Sequence, residues 1–467
     1  ELANTAWAFA TAGIPAPRLF AACARQAQHR LSEYRPQEIA NTAWAFATAG
    51  VHAPDLFARV TLSATERAAE FNAQELTNVA WAIAKRPATL TPLEDEAFNA
   101  IADDALSRLS DFNPQGMANL AWAFASAGAA GAPRLLAAIG EALTRPGALA
   151  QGHALPAFKS QELANLAWAC ATVGAETGAL FQHLAALLPD RIADFEAQDV
   201  ANTAWAFTVT QELRPDLARA LARQALHVGI EAFGREACCQ LHQFSMALRF
   251  DVPEFQISLP EAFASACRAA MVEQAPASSS QLHRDVSDAV SLAGLAHVNE
   301  LCVAVLGYHC DIAIGADPAA ALEAAEGAEA EERSPAEEHV PARPGAGLRL
   351  DPRLAHVDSV IIEVNGPWHY TPERSARPAS ETKVRHLRAI GWTVVEVPWW
   401  DWEKLQGARE KTTYIHRALL DAGVDEWGLR SGRPRAVPSP PVTAGTEHPQ
   451  GGTHGAAAAA AAVPVVR

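Results

Sequence analysis

Cysteines and long apolar segments are scarce in this chain of 467 residues. The seven cysteines include no Cys-x-x-Cys pair, which argues against a zinc site and a disulfide framework and fits a reducing compartment. No segment approaches the roughly 18 uninterrupted apolar residues that a membrane-spanning helix requires. The sequence therefore predicts no membrane-spanning helix and no membrane partner.

An excess of positive charge is also missing. The chain contains 37 lysines and arginines against 53 acids, which gives a net charge of −16. Residues 317–338 contain eight of these acids and a single arginine, so the negative charge is concentrated in one segment. Because nonspecific binding to nucleic acids depends on Lys and Arg contacts with phosphates, the composition argues against very tight nonspecific binding of a polyanion.

The first half of the chain contains a repeat. The segments LANTAWAFATAG, IANTAWAFATAG, LTNVAWAIAKR, MANLAWAFASAG, LANLAWACATVG and VANTAWAFTVT follow one another with their tryptophans 37, 37, 41, 46 and 37 residues apart. Periods of this length are typical of helical solenoids. The repeated tryptophans are Trp7, Trp44, Trp81, Trp122, Trp168 and Trp205.

Each unit of the repeat has the pattern of a helical hairpin. An aromatic residue precedes an aliphatic one by five positions, which is the spacing of a hydrophobic staple at a helix start. Asn72 and Asn113 are predicted N-caps, and Pro36 and Pro114 are predicted first helical residues. A second helix is predicted near a later proline. Residues 233–248 lack the tryptophan and are predicted to be a terminal cap.

The C-terminal half has the pattern of a small α/β domain. Residues 359–362 are apolar and β-branched, too short a run for a helix, and Asn365-Gly366-Pro367 ends this predicted strand. A helix is predicted over residues 381–390 and a second strand over residues 392–398. Upstream, residues 282–295 predict a helix, and residues 300–314 predict a hairpin around Gly307.

Two known families resemble these halves. The segments EVNGPWHY and GWTVVEVPWWDW, the Lys383-x-Arg385 helix and the closing Tyr414-Ile415-x-x-Ala418-Leu419-Leu420 resemble the RAP domain. This RNA-associated module occurs in organellar proteins of algae, plants and apicomplexans and in vertebrate FAST-kinase-like proteins. The repeats resemble octotricopeptide repeats, which occur with RAP domains in organellar RNA-maturation factors. The resemblance implies that the repeats lie along single-stranded RNA.

The fold expected from these patterns is an α-solenoid of helical-hairpin repeats followed by a small α/β domain. By resemblance that domain is similar to the restriction-endonuclease-like PD-(D/E)XK fold. The predicted parts are 1–275 (six to seven repeats), 281–315 (first part of the RAP-like domain), 316–352 (acidic low-complexity insertion), 353–427 (second part) and 428–467 (disordered tail). The chain starts inside a repeat and shows no targeting segment, and the resemblance implies a chloroplast or mitochondrion.

Within the repeats, residues that read bases are expected to differ between units. The tryptophan and the asparagine three residues before it do not vary, so we interpret the first as core and the second as a hydrogen-bond ladder. Two positions vary in hydrogen-bonding character, and the one four residues after each tryptophan is the better candidate for RNA contact. Neutral drift on an exposed face explains this variation nearly as well. The candidates at this position are Thr11, Thr48, Lys85, Ser126 and Thr172.

Two acids at predicted strand ends, Asp311 and Glu363, are candidate Mg²⁺ ligands. A bound Mg²⁺ polarises a phosphodiester and activates water, so these residues and Lys383 are candidates for catalysis by a nuclease. By resemblance the pattern is Asp followed by Glu-x-Lys, with Glu300 matching an optional acid of the first helix. Here Asn365 stands where the lysine belongs, so Lys383 would have to substitute for it.

Other roles for the same acids remain open. They either bind turn amides or form a phosphate-contact surface with the basic helix. Further predicted RNA contacts in this domain are Asn365, His369, Arg385, Arg388 and Trp400. A tryptophan such as Trp400 can stack on bases, but it can also cap the sheet.

The sequence predicts an RNA-binding factor for organellar RNA processing or stability. Its expected partners are single-stranded RNA and other RNA-processing proteins. Two alternatives remain open, a Mg²⁺-dependent endoribonuclease and a protein-interaction scaffold that binds no RNA. A cofactor is expected only for the nuclease, which would need Mg²⁺.

Overall fold

The structure is a computed structural model that describes residues 1–86, 89–145, 155–273, 280–314, 360–371 and 374–424. The predicted acidic insertion (316–352) and tail (428–467) lie outside these residues. Where the chain is described, a largely helical N-terminal region is followed by a four-stranded mixed sheet. No helix in this part of the chain is both long and apolar enough to cross a membrane.

The N-terminal region is an array of helical hairpins, as the repeat predicts. The hairpins within the described residues are α1 (Leu2–Thr11) with α2 (Pro17–Arg30), α3 (Pro36–Thr48) with α4 (Pro54–Arg67), α5 (Ala73–Ala84) with α6 (Pro92–Ser107), α7 (Pro114–Ala127) with α8 (Ala132–Thr144), α9 (Ser160–Val173) with α10 (Gly178–Leu187), α11 (Ala197–Val209) with α12 (Pro215–Val228), and α13 (Arg235–Phe250) with α14 (Glu261–Val272). The first helices of successive hairpins pack side by side.

The predicted helix starts are confirmed. The Asn72 side chain accepts the N–H of Glu75 at 2.9 Å, and the Glu75 carboxylate accepts the N–H of Asn72 at 2.8 Å. This reciprocal pair satisfies two backbone donors that a helix start leaves without intrahelical partners. Asn113 caps α7 with one hydrogen bond, accepting the N–H of Gly116 at 2.7 Å. Pro36 and Pro114 occupy the first turns of α3 and α7.

Phenylalanines fill the core of the array. In three units the phenylalanine two residues after the repeated tryptophan packs edge-to-face against a phenylalanine of the preceding second helix, with ring centroids 4.8–5.1 Å apart. Edge-to-face pairs of buried rings stabilise a core beyond the apolar area they bury. The pairs are Phe46 with Phe20, Phe124 with Phe98, and Phe207 with Phe181.

The interpretation of the tryptophans as core residues holds only in part, because five of the six pack against the core without being fully buried. Trp7 is 44% exposed, and the other five repeated tryptophans are half-buried. Their rings form a ladder at the surface, with centroids 6.3–6.4 Å apart from Trp7 to Trp122. The alanines beside each tryptophan take the buried positions, because they allow the first helices to approach closely.

The interpretation of the asparagines as a hydrogen-bond ladder also needs correction. Of the six repeated asparagines, only Asn202 forms side-chain hydrogen bonds with described residues. Its Oδ1 accepts from Gln198 at 2.9 Å and from Gln240 at 3.1 Å. The other five repeated asparagines have no hydrogen-bond partner for their side chains within these ranges. Their amides therefore do not hold the units together.

The C-terminal domain begins with α15 (Gln281–Leu292) and continues through β1 (His297–Val303), β2 (Tyr308–Ile314), β3 (Val360–Asn365), α16 (Pro378–Ala389), β4 (Thr393–Pro398), α17 (Trp399–Trp402) and α18 (Gly407–Asp421). The strand order is β1-β2-β3-β4, antiparallel except for the parallel pair of β3 and β4. The predicted helices and strands are therefore present, and β1 starts three residues earlier than predicted.

Helices cover both faces of the sheet. On one face α15 and α18 pack with Val286, Val290 and Ile415 against β2, β3 and β4. On the other face α16 packs with Leu387. Met246 of the array joins this second cluster, so the sheet domain and the repeat array share one apolar interface.

The seventh hairpin, which the sequence predicts to be a terminal cap, contributes to this interface. His242 of α13 donates a hydrogen bond from Nε2 to the carbonyl of Leu306, 2.8 Å away. Arg385 of α16 pairs with Asp251 at the end of α13. Helix α16 also crosses the ends of α9 and α11, which fixes the sheet domain against the last three units of the array.

Candidate functional site

Glu363 and Lys383 form the centre of the candidate site. Glu363 lies on β3 and is only 4% exposed, because its side chain points to the face that α16 covers. Lys383 lies in the first half of α16 and places its Nζ 2.6 Å from Oε2 of Glu363. Helix α16 thus places a lysine beside Glu363, as expected if Lys383 substitutes for the lysine that Glu363-Val364-Asn365 lacks.

The electrostatic environment of Glu363 favours its protonated form. Burial raises the pKa of Glu363 to about 7, the Lys383 charge opposes this shift, and the Asp311 charge adds to it. Burial alone would lower the pKa of Lys383, but the charge of Glu363 raises the pKa of this lysine overall. Glu363 can therefore gain or lose a proton near neutral pH, which is a property of general acids and bases.

Asp311 lies close to this pair, as predicted. The backbone pairing of β2 with β3 ends at Ile312 and Ile362. Just beyond it, Oδ2 of Asp311 accepts the N–H of Val364 at 2.7 Å. One carboxylate oxygen of Asp311 thus binds a backbone amide, which is the structural role that the sequence left open for it.

A histidine that the sequence analysis missed joins the acids. His283 of α15, Glu300 and Asp311 hold their ligand-type atoms within 4.8 Å of one another. Nδ1 of His283 lies 3.1 Å from the Glu300 carboxylate. Glu300 is on β1 with a φ of +56°, so it is not the acid of the first helix, and His283 occupies that helix instead. His283 is 5% exposed and lies one turn before Val286 on the buried face of an amphipathic helix, which is the signal that could have found it.

The donor set fits a divalent cation. Oε1 of Glu363 is buried and has no hydrogen-bond partner at bonding distance among the described residues, although the Cys310 thiol interacts with this carboxyl. Carboxylates are suitable ligands for Mg²⁺ and Mn²⁺, whereas imidazole suits transition metals such as Zn²⁺ or Fe²⁺. Among the described residues, His283, Glu300 and Asp311 are the group that would hold such an ion. The predicted ligand Glu363 lies outside this group and is paired with Lys383.

Two other predicted residues border this group. Burial lowers the pKa of His369, and its Nδ1 lies 3.1 Å from Oγ of Ser380. Asn365 is buried and donates from Nδ2 to the Glu396 carboxylate at 3.2 Å. His369 is thus near the acids, whereas the Asn365 amide is directed to β4.

The remaining predicted residues of the domain lie elsewhere. Arg385 donates to Asp251 of the array at 2.9 and 2.8 Å. Arg388 donates to the carbonyl of Val394 at 3.2 Å. Trp400 packs edge-on against Tyr370, with ring centroids 4.3 Å apart. RNA contact by these three side chains stays a prediction.

The predicted RNA-contacting residues of the array divide into two groups. Thr11, Thr48, Lys85 and Ser126 are exposed. Thr172 is partly covered by the sheet domain, since Arg377 donates to its carbonyl at 3.5 Å and its hydroxyl is buried without a partner. RNA contact at these positions stays a prediction, and in this arrangement it is available only to the first group.

An exposed tryptophan between the two halves was also missed. Trp368 follows β3 in a short 3₁₀ turn and is 62% exposed. Its ring lies over Gly128 at the end of α7, where an added Cβ would come within 3.3 Å of it. Only the tertiary structure shows this position, because the two residues lie far apart in the sequence.

Comparison with known proteins gives two family matches. Residues 17–42, 108–120 and 132–166 match a family described as a protein of unknown function, DUF1601. No curated protein matches the chain. The second match covers β3, α16 and β4, which carry Glu363 and Lys383, and continues into α18: residues 362–418 form a RAP domain.

Proposed function

We propose that this protein binds single-stranded RNA and acts in organellar RNA processing or stability. The observation that carries the proposal is the RAP domain at residues 362–418, a domain generally associated with RNA binding. The resemblance of the repeats to octotricopeptide repeats supports the same role and a location in a chloroplast or mitochondrion. Other RNA-processing proteins are proposed as further partners.

The array supports this proposal with a surface suited to an extended ligand. Stacked repeats expose the same face unit after unit, and helical repeats that bind RNA use two or three side chains per base. Thr11, Thr48, Lys85 and Ser126 lie on one such face and are exposed. Because lysines and arginines are outnumbered by acids and the net charge is −16, selective contacts with RNA are favoured over general affinity for phosphates.

The salt dependence of binding tests the proposal. Purified full-length protein is titrated into fluorescein-labelled 12-nucleotide RNA of random sequence at 50, 100 and 200 mM KCl. An affinity that falls with a log–log slope of roughly −0.7 for each phosphate contacted is expected for single-stranded RNA. Absence of binding at 50 mM KCl would contradict the proposal and favour the protein-interaction scaffold.

A Mg²⁺-dependent endoribonuclease is the second candidate function. It is favoured by the 2.6 Å contact of Lys383 with Glu363, which places a positive charge beside the candidate metal ligands. The order of helix, antiparallel strands, helix and parallel strand supports the restriction-endonuclease-like fold that the resemblance implies. A bound Mg²⁺ would polarise a phosphodiester and lower the pKa of bound water.

The residues themselves have defined tasks in that chemistry. Asp311, with His283 and Glu300, would hold the ion. Lys383 would stabilise the negative charge that develops on the phosphate, an interaction worth on the order of 10²–10³ in rate. His369, whose pKa is lowered by burial, is neutral at pH 7 and can contact the leaving oxygen.

Cleavage is tested with the RNA that the protein binds. Wild-type protein, Asp311→Ala/Glu363→Ala and Lys383→Met are incubated with that RNA and Mg²⁺. The nuclease proposal expects products from wild type alone. Identical product patterns from wild type and the double variant would end the nuclease proposal and leave RNA binding intact.

A further inference from the structure

One stripe of the array carries the same polar and aromatic side chains in every one of the first four units. The asparagine, the tryptophan and the varying residue occupy positions i, i+3 and i+7 of each first helix, so they lie on one helix face. We name this surface the Asn–Trp stripe. Its members are Asn4, Trp7, Thr11, Asn41, Trp44, Thr48, Asn78, Trp81, Lys85, Asn119, Trp122 and Ser126.

The amides of the stripe have no structural task that the described residues reveal. In the sixth unit Asn202 accepts hydrogen bonds from Gln198 and Gln240. The four asparagines of the stripe make no such bond to any described residue and reach the solvent. In the first four units this amide has no hydrogen bond to a described residue, so it is available to an external ligand.

The indole groups show the same difference. Nε1 of Trp205 donates to Gln243 of the seventh unit at 2.7 Å. Within the described ranges, the indole N–H groups of the four stripe tryptophans have no acceptor, and each of these rings is at least partly exposed. The stripe thus offers an indole donor and an amide per unit, with ring centroids at 6.3–6.4 Å intervals.

The charge of the stripe suits nucleic acid better than an acidic or basic peptide. Lys85 is its only ionic residue, with Nζ 6.0 Å from the ring centroids of both Trp81 and Trp122. The acids that open these helices are engaged elsewhere, because Glu38 and Glu75 accept N–H groups at their own helix starts. No carboxylate therefore stands between the asparagines and the varying residues.

The Asn–Trp stripe ends at the place where the RAP domain contacts the array. Within the described residues the tryptophan ladder is continuous from Trp7 to Trp122, and no ring contact links Trp122 to Trp168. At this break Trp368 lies over Gly128, two residues after Ser126. The exposed ring of Trp368 therefore lies beside the end of the Asn–Trp stripe, on the sheet domain.

We propose that the Asn–Trp stripe and Trp368 form one continuous binding surface for the bases of single-stranded RNA. The amides and indole N–H groups bind base edges of the first four units at about one base per unit. Trp368 stacks on the base that follows, beside Gly128 at the end of α7. Because the asparagine and the tryptophan are constant, most of the affinity is tolerant of sequence, and the varying position adds selectivity.

This inference rests on the proposed RNA binding, and the experiment separates the two. Affinity for the fluorescein-labelled random 12-nucleotide RNA is measured for full-length wild type, Asn41→Ala/Asn78→Ala/Asn119→Ala and Trp368→Ala. We expect about tenfold weaker binding for the triple variant, which loses three hydrogen-bonding amides. We expect about tenfold for Trp368→Ala, within the range of one lost base stack.

A matched control removes amides from another face. Gln26 and Gln182 are exposed on the second helices α2 and α10. The variant Gln26→Ala/Gln182→Ala is expected to bind the RNA as wild type does. Thermal unfolding of all variants verifies that the folded fraction is unchanged, and ultraviolet crosslinking with peptide mapping gives a readout that needs no substitution.

The outcomes are distinct. Crosslinks in peptides that contain Trp44, Trp81 or Trp368, together with the expected losses of affinity, support the stripe as the base-binding surface. Wild-type binding by the triple variant and by Trp368→Ala overturns the inference while RNA binding stands. No binding by wild type overturns both. Loss of a co-purifying polypeptide from the triple variant, with RNA affinity intact, also overturns it and assigns the surface to a protein.

Discussion

Arg385 of the RAP domain forms a bidentate ion pair with Asp251 of the seventh hairpin, with N–O distances of 2.9 and 2.8 Å. Nε2 of the buried His386 lies 3.3 Å from the same carboxylate, and its Nδ1 accepts the hydroxyl of Tyr308 at 2.9 Å. Tyr308, His386, Asp251 and Arg385 thus form one polar chain between β2, α16 and α13. A residue whose sequence context predicts RNA contact is engaged in joining the two halves of the protein.

Removing Arg385 is expected to weaken this junction. The carboxylate of Asp251 is 14% exposed, and Arg385→Ala leaves it with only the imidazole of His386. Loss of a charged hydrogen-bonded partner at such a site costs about 2 kcal/mol. Equilibrium urea unfolding measures the change. Arg417→Ala is the control, because the pair of Arg417 with Asp421 is 3.9 Å long and exposed, and such pairs contribute little.

Acid is expected to loosen the same interface through His242. Burial lowers the pKa of His242 to about 4, so the folded protein holds this histidine neutral. The stabilisation is complete above the usual histidine pKa of 6.5 and is lost as the pH falls through about 4. A pKa shift of this size corresponds to a contribution of up to about 3 kcal/mol to the free energy of unfolding.

Stability measured from pH 7.5 to 4 checks this prediction. His242→Gln keeps a donor for the carbonyl of Leu306 and is expected to flatten the decline. His52→Gln, at an exposed loop residue, should leave the profile of wild type. An equally steep decline in His242→Gln would assign the acid sensitivity to other groups.

Glu363 is expected to contribute the opposite pH dependence. Its pKa is raised from 4.5 to about 7, so its contribution is complete below pH 4.5 and is lost as the pH rises through 7. Glu363→Gln should remove this loss. Since the Lys383 charge lowers the pKa of Glu363, Lys383→Met should raise the midpoint of the carboxyl titration above 7.

The carboxyl band in difference infrared spectra reports this titration directly. Lys404→Met is the control, because Lys404 pairs with Asp401 on the exposed surface and is expected to leave the band unchanged. A midpoint that stays the same in Lys383→Met would show that the 2.6 Å contact does not set the proton affinity of Glu363.

Two glycines allow the energetic cost of backbone strain to be measured separately from the cost of disturbing the contact between the array and the RAP domain. Gly174 (φ +73°) and Gly13 (φ +62°) both follow first helices in the left-handed region, where an alanine is strained by about 1 kcal/mol or more. A Cβ on Gly174 would lie 3.1 Å from Cδ of Pro378 in α16, whereas a Cβ on Gly13 meets nothing within 4 Å.

Gly174→Ala is therefore expected to destabilise the protein more than Gly13→Ala. Both carry the backbone penalty, and only the first also displaces α16 from the array. Thermal unfolding gives the two costs. Hydrogen exchange gives the local effect, and faster exchange in α16 is expected for Gly174→Ala alone. Equal costs and unchanged exchange would contradict the close packing of Pro378 on the array.

The sequence by itself determined the local architecture. Caps such as Asn72 with Glu75, prolines at helix starts and the alternation of apolar residues in β3 act over a few residues, so periodicity and spacing were sufficient to place hairpins and strands. Asp311, Glu363 and Lys383 could be brought together in advance, because neighbouring strand ends and the helix that follows must lie close in such a sheet. His283 could have been recognised only as a residue on the buried face of its helix, and the position of Trp368 over Gly128 could not be predicted.

Only the tertiary structure decided which repeated residues face solvent and which face of the array meets the sheet. Tryptophan and asparagine are constant in the repeat, and a constant residue is equally compatible with a core and with a uniform surface. The tryptophans and asparagines lie toward the surface because alanines let the helices pack closely and phenylalanines fill the interior. Likewise, Arg385 was turned from solvent to Asp251 by contacts between residues 134 positions apart, which no local pattern encodes.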